Sequence, residues 1–227
     1  MQLSERLSVI ASLVPSGARV CDIGTDHGYL AIELIRSGKA HNVIAADICE
    51  KPLQNARKNI ESSGVDSVEL RLCDGFSGIS SHEFDTAVIA GMGGEVISGI
   101  LHRGKEIVQN ENINLIFQPT TSPEALRLYL CESGFEILKE IPVYENGKSY
   151  SVMLVVYTGN KTAPAQAYYY AGKVPCDTVA GRTYIEKQKK RLLTCMNALE
   201  NIAEKRNEFL KYKEAFEGLE KILTFAE

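Results

Sequence analysis

The chain has 227 residues, 44% of them hydrophobic, and a formal net charge of −4 at pH 7. That length accommodates one sizeable core plus a smaller appendage, and no apolar run approaches the roughly 18 residues a membrane-spanning helix needs. Its charge is divided unevenly: residues 1–160 carry 13 Lys and Arg against 20 Asp and Glu, while residues 161–227 carry 12 against 9.

The N-terminal Met1-Gln-Leu-Ser-Glu-Arg6 lacks a signal peptide's apolar region, so a cytoplasmic location with no membrane partner is expected. Leu3, Leu7, Ile10 and Val14 mark an amphipathic helix with Ser4 and Ser8 toward solvent, ended by Pro15-Ser-Gly17. Val20 to Ile23 is a short β-branched strand, broken by a turn from Gly24 to Gly28 and followed by a helix over 28–37. A strand over 42–47 leads to a helix over 50–63 that tolerates Pro52 in its first turn and closes at Gly64. Further strands are predicted over 68–72, 84–90 and 113–118, with helices over 94–107 and 122–133. Two extended runs, Glu136–Tyr144 and Ser149–Tyr157, flank Asn146-Gly147, a strong hairpin signal. The six cysteines stand singly without a C-x-x-C pair, and the four histidines show no zinc-like spacing with them. No metal site or disulfide framework is therefore expected.

At the strand–turn–helix junction the free N–H groups of the helix face a ligand and the glycines let the backbone approach it. A dinucleotide fold would require G-x-G-x-x-G, whereas only Gly24-x-x-x-Gly28 is present, with Asp22 and Asp26 beside it. Carboxylates repel a pyrophosphate and suit the amino and sulfonium charges of S-adenosylmethionine. The next strand ends in Asp47, 23 residues beyond Gly24, where a carboxylate grips a ribose diol. The alternative is a tight turn in some other doubly wound protein.

Five βα units followed by an antiparallel hairpin predict an α/β, doubly wound, Rossmann-like sheet of the class I methyltransferase kind. Asp22, Asp47, Asp74, Gly91 and Pro119 fall at strand ends and are expected to ring one crevice. The cofactor set is Asp22, Gly24, Thr25, Asp26, His27, Gly28, Tyr29, Asp47, Ile48, Asp74, Gly75, Ala90 and Gly91. Residues 1–158 form the catalytic domain and 159–177 a linker with an aromatic connector, Ala167-Tyr-Tyr-Tyr170. Residues 178–227 form a helical coiled-coil-like tail. Ile185, Leu192 and Leu199, with Gln188, Cys195, Ile202, Phe209, Phe216 and Leu223, define an a/d seam. It fails at Arg206 and Lys213, so the hairpin is expected to turn near 205–208.

The stretches Asp22-Ile-Gly-Thr-Asp-His-Gly-Tyr-Leu30, Ile89-Ala-Gly-Met-Gly-Gly94, Gln118-Pro119 and Asn146-Gly-Lys-Ser-Tyr150, with the helical tail, resemble one family. It is the bacterial tRNA adenine-22 N1-methyltransferases, the TrmK family. The chain departs from it at Ala31, where proline is frequent, and at Thr120, where asparagine is usual. The resemblance implies S-adenosylmethionine as cofactor and tRNA as partner.

Adenine N1 is a neutral nucleophile that needs no base before attack, so alignment and exclusion of water dominate. Because the product is cationic, Asp26 is the candidate to stabilise developing charge, with His27 orienting it or capping the helix. Gly91 and Met92 are candidates to hold the base, by peptide carbonyls and an apolar face, or else form a plain turn. Gly93, Gly94, Gln118 and Pro119 complete the substrate side, and Lys187, Lys189, Lys190 and Arg191 are candidate phosphate contacts or a solvated helix face. Two other readings stay open: a methyltransferase for a small molecule or protein, and a non-catalytic RNA- or protein-binding module on the same fold. The oligomeric state is not legible.

Overall fold

A computed structural model of the chain describes residues 3–225, so the outermost residues of the first and last expected segments lie outside it. Its elements begin with α1 (Glu5–Leu13), β1 (Ala18–Ile23), α2 (Tyr29–Arg36), β2 (Ala40–Asp47), α3 (Glu50–Ser63) and β3 (Val68–Leu72). They continue with β4 (Thr86–Gly93), α4 (Gly94–Arg103), α5 (Lys105–Val108), β5 (Asn114–Thr121) and α6 (Pro123–Glu132). The strands β6 (Phe135–Glu145) and β7 (Lys148–Tyr157) precede three helices, α7 (Gln166–Ala171), α8 (Val179–Leu199) and α9 (Arg206–Phe225).

The strands form one sheet in the order β3-β2-β1-β4-β5-β7-β6. β1 to β5 pair in parallel, and β7 runs antiparallel between β5 and β6. Chain order reverses between β1 and β4, the position at which a doubly wound sheet opens a crevice beyond its carboxyl ends. Side chains alternate across each strand. Cys21 and Ile23 therefore join the core beneath α4 and α6 with Ile89, Phe117, Ile97 and Leu126. On the opposite face Val20 packs with Ile10 of α1, Leu30 and Leu34 of α2, and Val88. Asp22 shares the parity of Val20, so an acid is carried into the sheet's interior at the strand end.

Two local expectations are corrected. The strand expected to end at Ala90 runs on to Gly93, with irregular pairing between Ala90 and Gly93. The helix expected over 94–107 breaks at Gly104, which lies so close to Phe76 that a Cβ there would sit 2.7 Å from its ring. Ser4 is exposed as expected, and it is also the N-cap of α1, accepting a hydrogen bond from the Leu7 N–H.

The tail is fastened to the sheet domain by a buried ionic network. Arg127 of α6 and Glu140 of β6 are paired with neither side chain exposed. The Arg127 guanidinium also donates to Tyr184 Oη of α8 at 2.8 Å and to the Tyr169 carbonyl of α7 at 2.7 Å. A bulge between Ile137 and Lys139 makes this possible, because it shifts the parity of β6 and turns Glu140 to the face of Met153. The aromatic connector is thus helical, and α7 packs against α9 through Gly218, where a Cβ would lie 2.5 Å from that of Ala167. The hairpin turns over residues 200–205, earlier than the expected 205–208, and Ile202 is exposed. On α9 the most buried seam residues are Ala215 and Leu219, with Phe216 and Leu223 flanking them. The small Ala215 and Gly218 set the close approach, a signal that counting large hydrophobes at heptad positions overlooks.

Candidate active site

A cleft of about 350 Å³ opens beyond the carboxyl ends of β1, β2 and β4. It is lined by Asp22, Gly24, Thr25, Asp26, His27, Tyr29, Asp47, Ala90, Gly91, Met92 and Gln118. These eleven all belong to the residues selected from sequence. Ser4, Arg6 and Leu7 of α1, together with Leu30, complete the wall.

The turn from β1 to α2 is held tightly. The N–H groups of Gly24 and Thr25 both donate to the Ala46 carbonyl, at 2.8 and 3.0 Å, tying it to β2. Gly24 has φ +81, and a Cβ there would lie 2.2 Å from Met92 Cε. Conformation and close packing therefore both require glycine. Gly28, also at positive φ, is the N-cap of α2 and abuts Ala56, so its part is to close the turn against α3.

Asp22 is 4% exposed, and burial pushes its carboxyl up to about 6. The adjacent Thr25 side chain pulls it down and nearby Asp47 pushes it up. Among the described residues this acid has no cationic partner. Asp47 stands at the end of β2, where its Oδ1 accepts from the Cys49 N–H at 2.9 Å and leaves Oδ2 for a ligand. Asp26 occupies a left-handed backbone conformation (φ 51) with its carboxylate at the cleft mouth. His27 Nε2 lies 3.5 Å from Asp26 Oδ2, and its ring stacks on Tyr29 at 5.2 Å between centroids. Three carboxylates thus converge on one cleft, a donor set that fits a cationic cofactor with a ribose diol and rejects a pyrophosphate.

Opposite them, Gln118 is buried at the end of β5. Its Oε1 accepts from the Gly91 N–H at 3.3 Å and from Arg6 Nη1 at 3.0 Å. Arg6 in turn donates to Glu145 Oε2 at 2.6 Å and lies over the Tyr150 ring. Sequence reasoning selected Gln118 and missed Arg6, because a lone arginine in an N-terminal amphipathic helix carries no local signal. Its partners are 112 and 139 residues away.

Other expected site residues lie elsewhere, and the five strand-end positions do not ring one crevice. Asp74 pairs with Arg103 at 2.9 Å and lines a separate cavity, and Gly75 beside it lies against Ile100. Pro119 faces a second cavity on the other side of the β5 terminus. Ile48 is 63% exposed and does not line the cleft. Gly93 and Gly94 abut Thr121 and Ser122, where a Cβ on Gly94 would meet the Ser122 carbonyl at 2.1 Å. Close passage of α4 beside β5 is reason enough for both glycines. The four tail cations are dispersed as well. Lys189 pairs with Glu220 and Arg191 with Glu124, Lys187 donates to the Ser149 carbonyl, and Lys190 is exposed.

Among the described residues no helix is long and apolar enough to cross a membrane, and no group of three or more His, Cys, Asp or Glu side chains is arranged to hold a metal ion.

The switch-point cleft and its carboxylates define a methyltransferase of the doubly wound class, and residues 3–153 match the family model described as a methyltransferase domain. A tRNA (adenine(22)-N(1))-methyltransferase of Bacillus subtilis is 36% identical over 164 residues, which span 72% of this chain and 68% of that protein. The crystal structure of the B. subtilis m1A22 tRNA methyltransferase TrmK superimposes with a TM-score of 0.85 at 26% identity, covering 98% of this chain and 99% of the other. A candidate tRNA (m1A22) methyltransferase of Streptococcus pneumoniae, solved in complex with S-adenosyl-L-methionine, gives a TM-score of 0.82 at 29% identity, covering 98% and 100%. The chain belongs to the tRNA (adenine(22)-N(1))-methyltransferase family.

Proposed function

We propose that this chain transfers a methyl group from S-adenosylmethionine to N1 of adenine 22 in tRNA. The observation that carries the reading is the convergence of Asp22, Asp26 and Asp47 on a cleft faced by Gly91 and Met92, in a chain of this family. When bound, the cofactor supplies an electrophilic methyl group on a sulfonium. Asp22 answers its cationic end, Asp47 Oδ2 holds the ribose diol, and the turn with Thr25, His27 and Tyr29 forms the floor.

On the substrate side, Gln118 fixes the Gly91 peptide and Arg6 together, so the approach to the methyl group is framed by backbone whose direction is set. Met92 supplies an adaptable apolar surface beside Gly24. Adenine N1 attacks with its own lone pair, so these residues act chiefly by alignment and by excluding water. Asp26, near the cleft mouth, opposes the positive charge that grows on the base as N1 is alkylated. His27 holds that carboxylate in place. Adenine 22 lies within a folded RNA, so it must leave its stack to reach the cleft. A tRNA substrate agrees with the cytoplasmic location expected from sequence.

The test is incubation with radiolabelled S-adenosylmethionine and unmodified tRNA transcripts, followed by nucleoside analysis. Label in 1-methyladenosine supports the proposal. Label in protein or a small molecule, or cofactor binding without transfer, refutes it.

A further inference from the structure

A second cavity, of about 340 Å³, lies between the end of β5, the start of β7 and α8. Two buried polar side chains in its wall have no hydrogen-bond partner among the described residues: Ser149 Oγ and Gln188 Oε1, in residues 5% and 4% exposed. A buried orphan group costs stability, and its persistence points to a partner supplied from outside the protein. Lys187 stands at the same cavity with its Nζ anchored on the Ser149 carbonyl at 2.9 Å, which leaves ammonium protons for a further acceptor. Burial, then Arg191 and Lys148, holds the Lys187 amine below its ordinary range. Arg191, by contrast, is committed to Glu124.

The wall chemistry selects the ligand class. An amide next to a hydroxyl can both accept from and donate to the edge of a nucleobase, and the ammonium takes a phosphate. The volume suits a single nucleotide. Position adds to this, because the Tyr150 ring separates the cavity from the cleft. Arg6 of the cleft wall lies 4.9 Å from the ring centroid and Lys187 lies 5.7 Å from it.

We propose that this cavity is a subsite for one ribonucleotide of the RNA substrate flanking the target base, with Gln188 and Ser149 on its base edge and Lys187 on its phosphate. The proposal rests on the tRNA reading above and adds a location and a ligand to it. An apolar replacement of an orphan group should leave the free protein as stable as before, or more so, while removing the ligand's partner.

The experiment uses the full chain saturated with S-adenosylhomocysteine, which fills the cleft, and titrates adenosine 5′-monophosphate by calorimetry into wild type, Gln188→Leu and Ser149→Ala. Melting temperatures and KM for a tRNA transcript are measured on the same preparations. The expected result is binding to wild type and a roughly tenfold weaker dissociation constant in each variant, the size of one or two lost hydrogen bonds. A similar rise in KM, unchanged kcat and an undiminished melting temperature should accompany it. Ser149→Ala removes one atom and keeps the test decisive should Gln188→Leu fold poorly. Absence of nucleotide binding to wild type, or equal binding by the folded variants, overturns the subsite. Gln188-dependent nucleotide binding without methylation of tRNA keeps the subsite and refutes the tRNA reading.

Discussion

Asp22→Asn should make the protein more stable and a poorer cofactor binder at the same time. The carboxyl is held at about 6 against an ordinary 3.8, mainly by burial. Each unit is about 1.4 kcal/mol, so the ionised acid costs the unliganded fold on the order of 3 kcal/mol. The sign follows from the raised value: this stability is fully present below the unfolded pKa near 4 and is lost as pH rises through 6. A neutral asparagine escapes the loss, so urea denaturation at pH 7.5 should show a gain of up to about 3 kcal/mol. A cation in the cleft stabilises the ionised acid, so wild-type affinity for S-adenosylmethionine should climb by up to about tenfold per unit from pH 5 to 6 and then level off. The asparagine variant should bind more weakly at pH 7.5 and lose that pH dependence. Calorimetric titrations from pH 5 to 7.5 provide the check. A pH-independent wild-type affinity, or equal affinity in the variant, would refute a buried acid that answers the cofactor's charge.

Asp47→Ala should weaken cofactor binding by ~1–3 kcal/mol, the range for lost hydrogen bonds to a charged group, and an unchanged calorimetric dissociation constant would remove Asp47 from the site. Asp26→Asn should lower kcat while leaving cofactor affinity close to wild type, because the carboxylate opposes charge that grows only on the base. Loss of cofactor binding would reassign Asp26 as a binding residue. Arg127→Met should destabilise the chain by ~3–5 kcal/mol by stranding Glu140 in the core, and adding Glu140→Leu should recover most of that. Urea denaturation of the two variants reads this, and equal stabilities would show that Glu140 is not stranded when Arg127 is removed.

Residues whose partners lie nearby in sequence were the legible ones. The β1–turn–α2 unit is a change of hydrophobic period around glycines, and Asp22, Gly24 and Asp26 occupy the places their spacing indicated. Asp47 could be found because it ends a strand adjacent to β1. Asp74 lines a separate cavity, and a strand-end position does not disclose its pairing with Arg103. Arg6 escaped notice because both of its carboxy-terminal partners come to it only through folding. The β6 bulge that places Glu140 beneath Arg127 leaves no alternation signal of its own. The residues that join tail to sheet were therefore the least readable. Charge counting drew Lys187, Lys189, Lys190 and Arg191 together, yet helical geometry and acidic partners on α6 and α9 send them in different directions.

Transfer to adenine 22 of tRNA is decided by mapping the modified position. Matched tRNA transcripts, one with adenine at position 22 and one with guanine there, are incubated with the protein and S-adenosylmethionine, digested and sequenced by mass spectrometry. One added methyl group is expected, on N1 of adenine 22, with no methylation of the guanine-substituted transcript. Equal methylation of both transcripts, or a methyl group on another nucleotide, would contradict it.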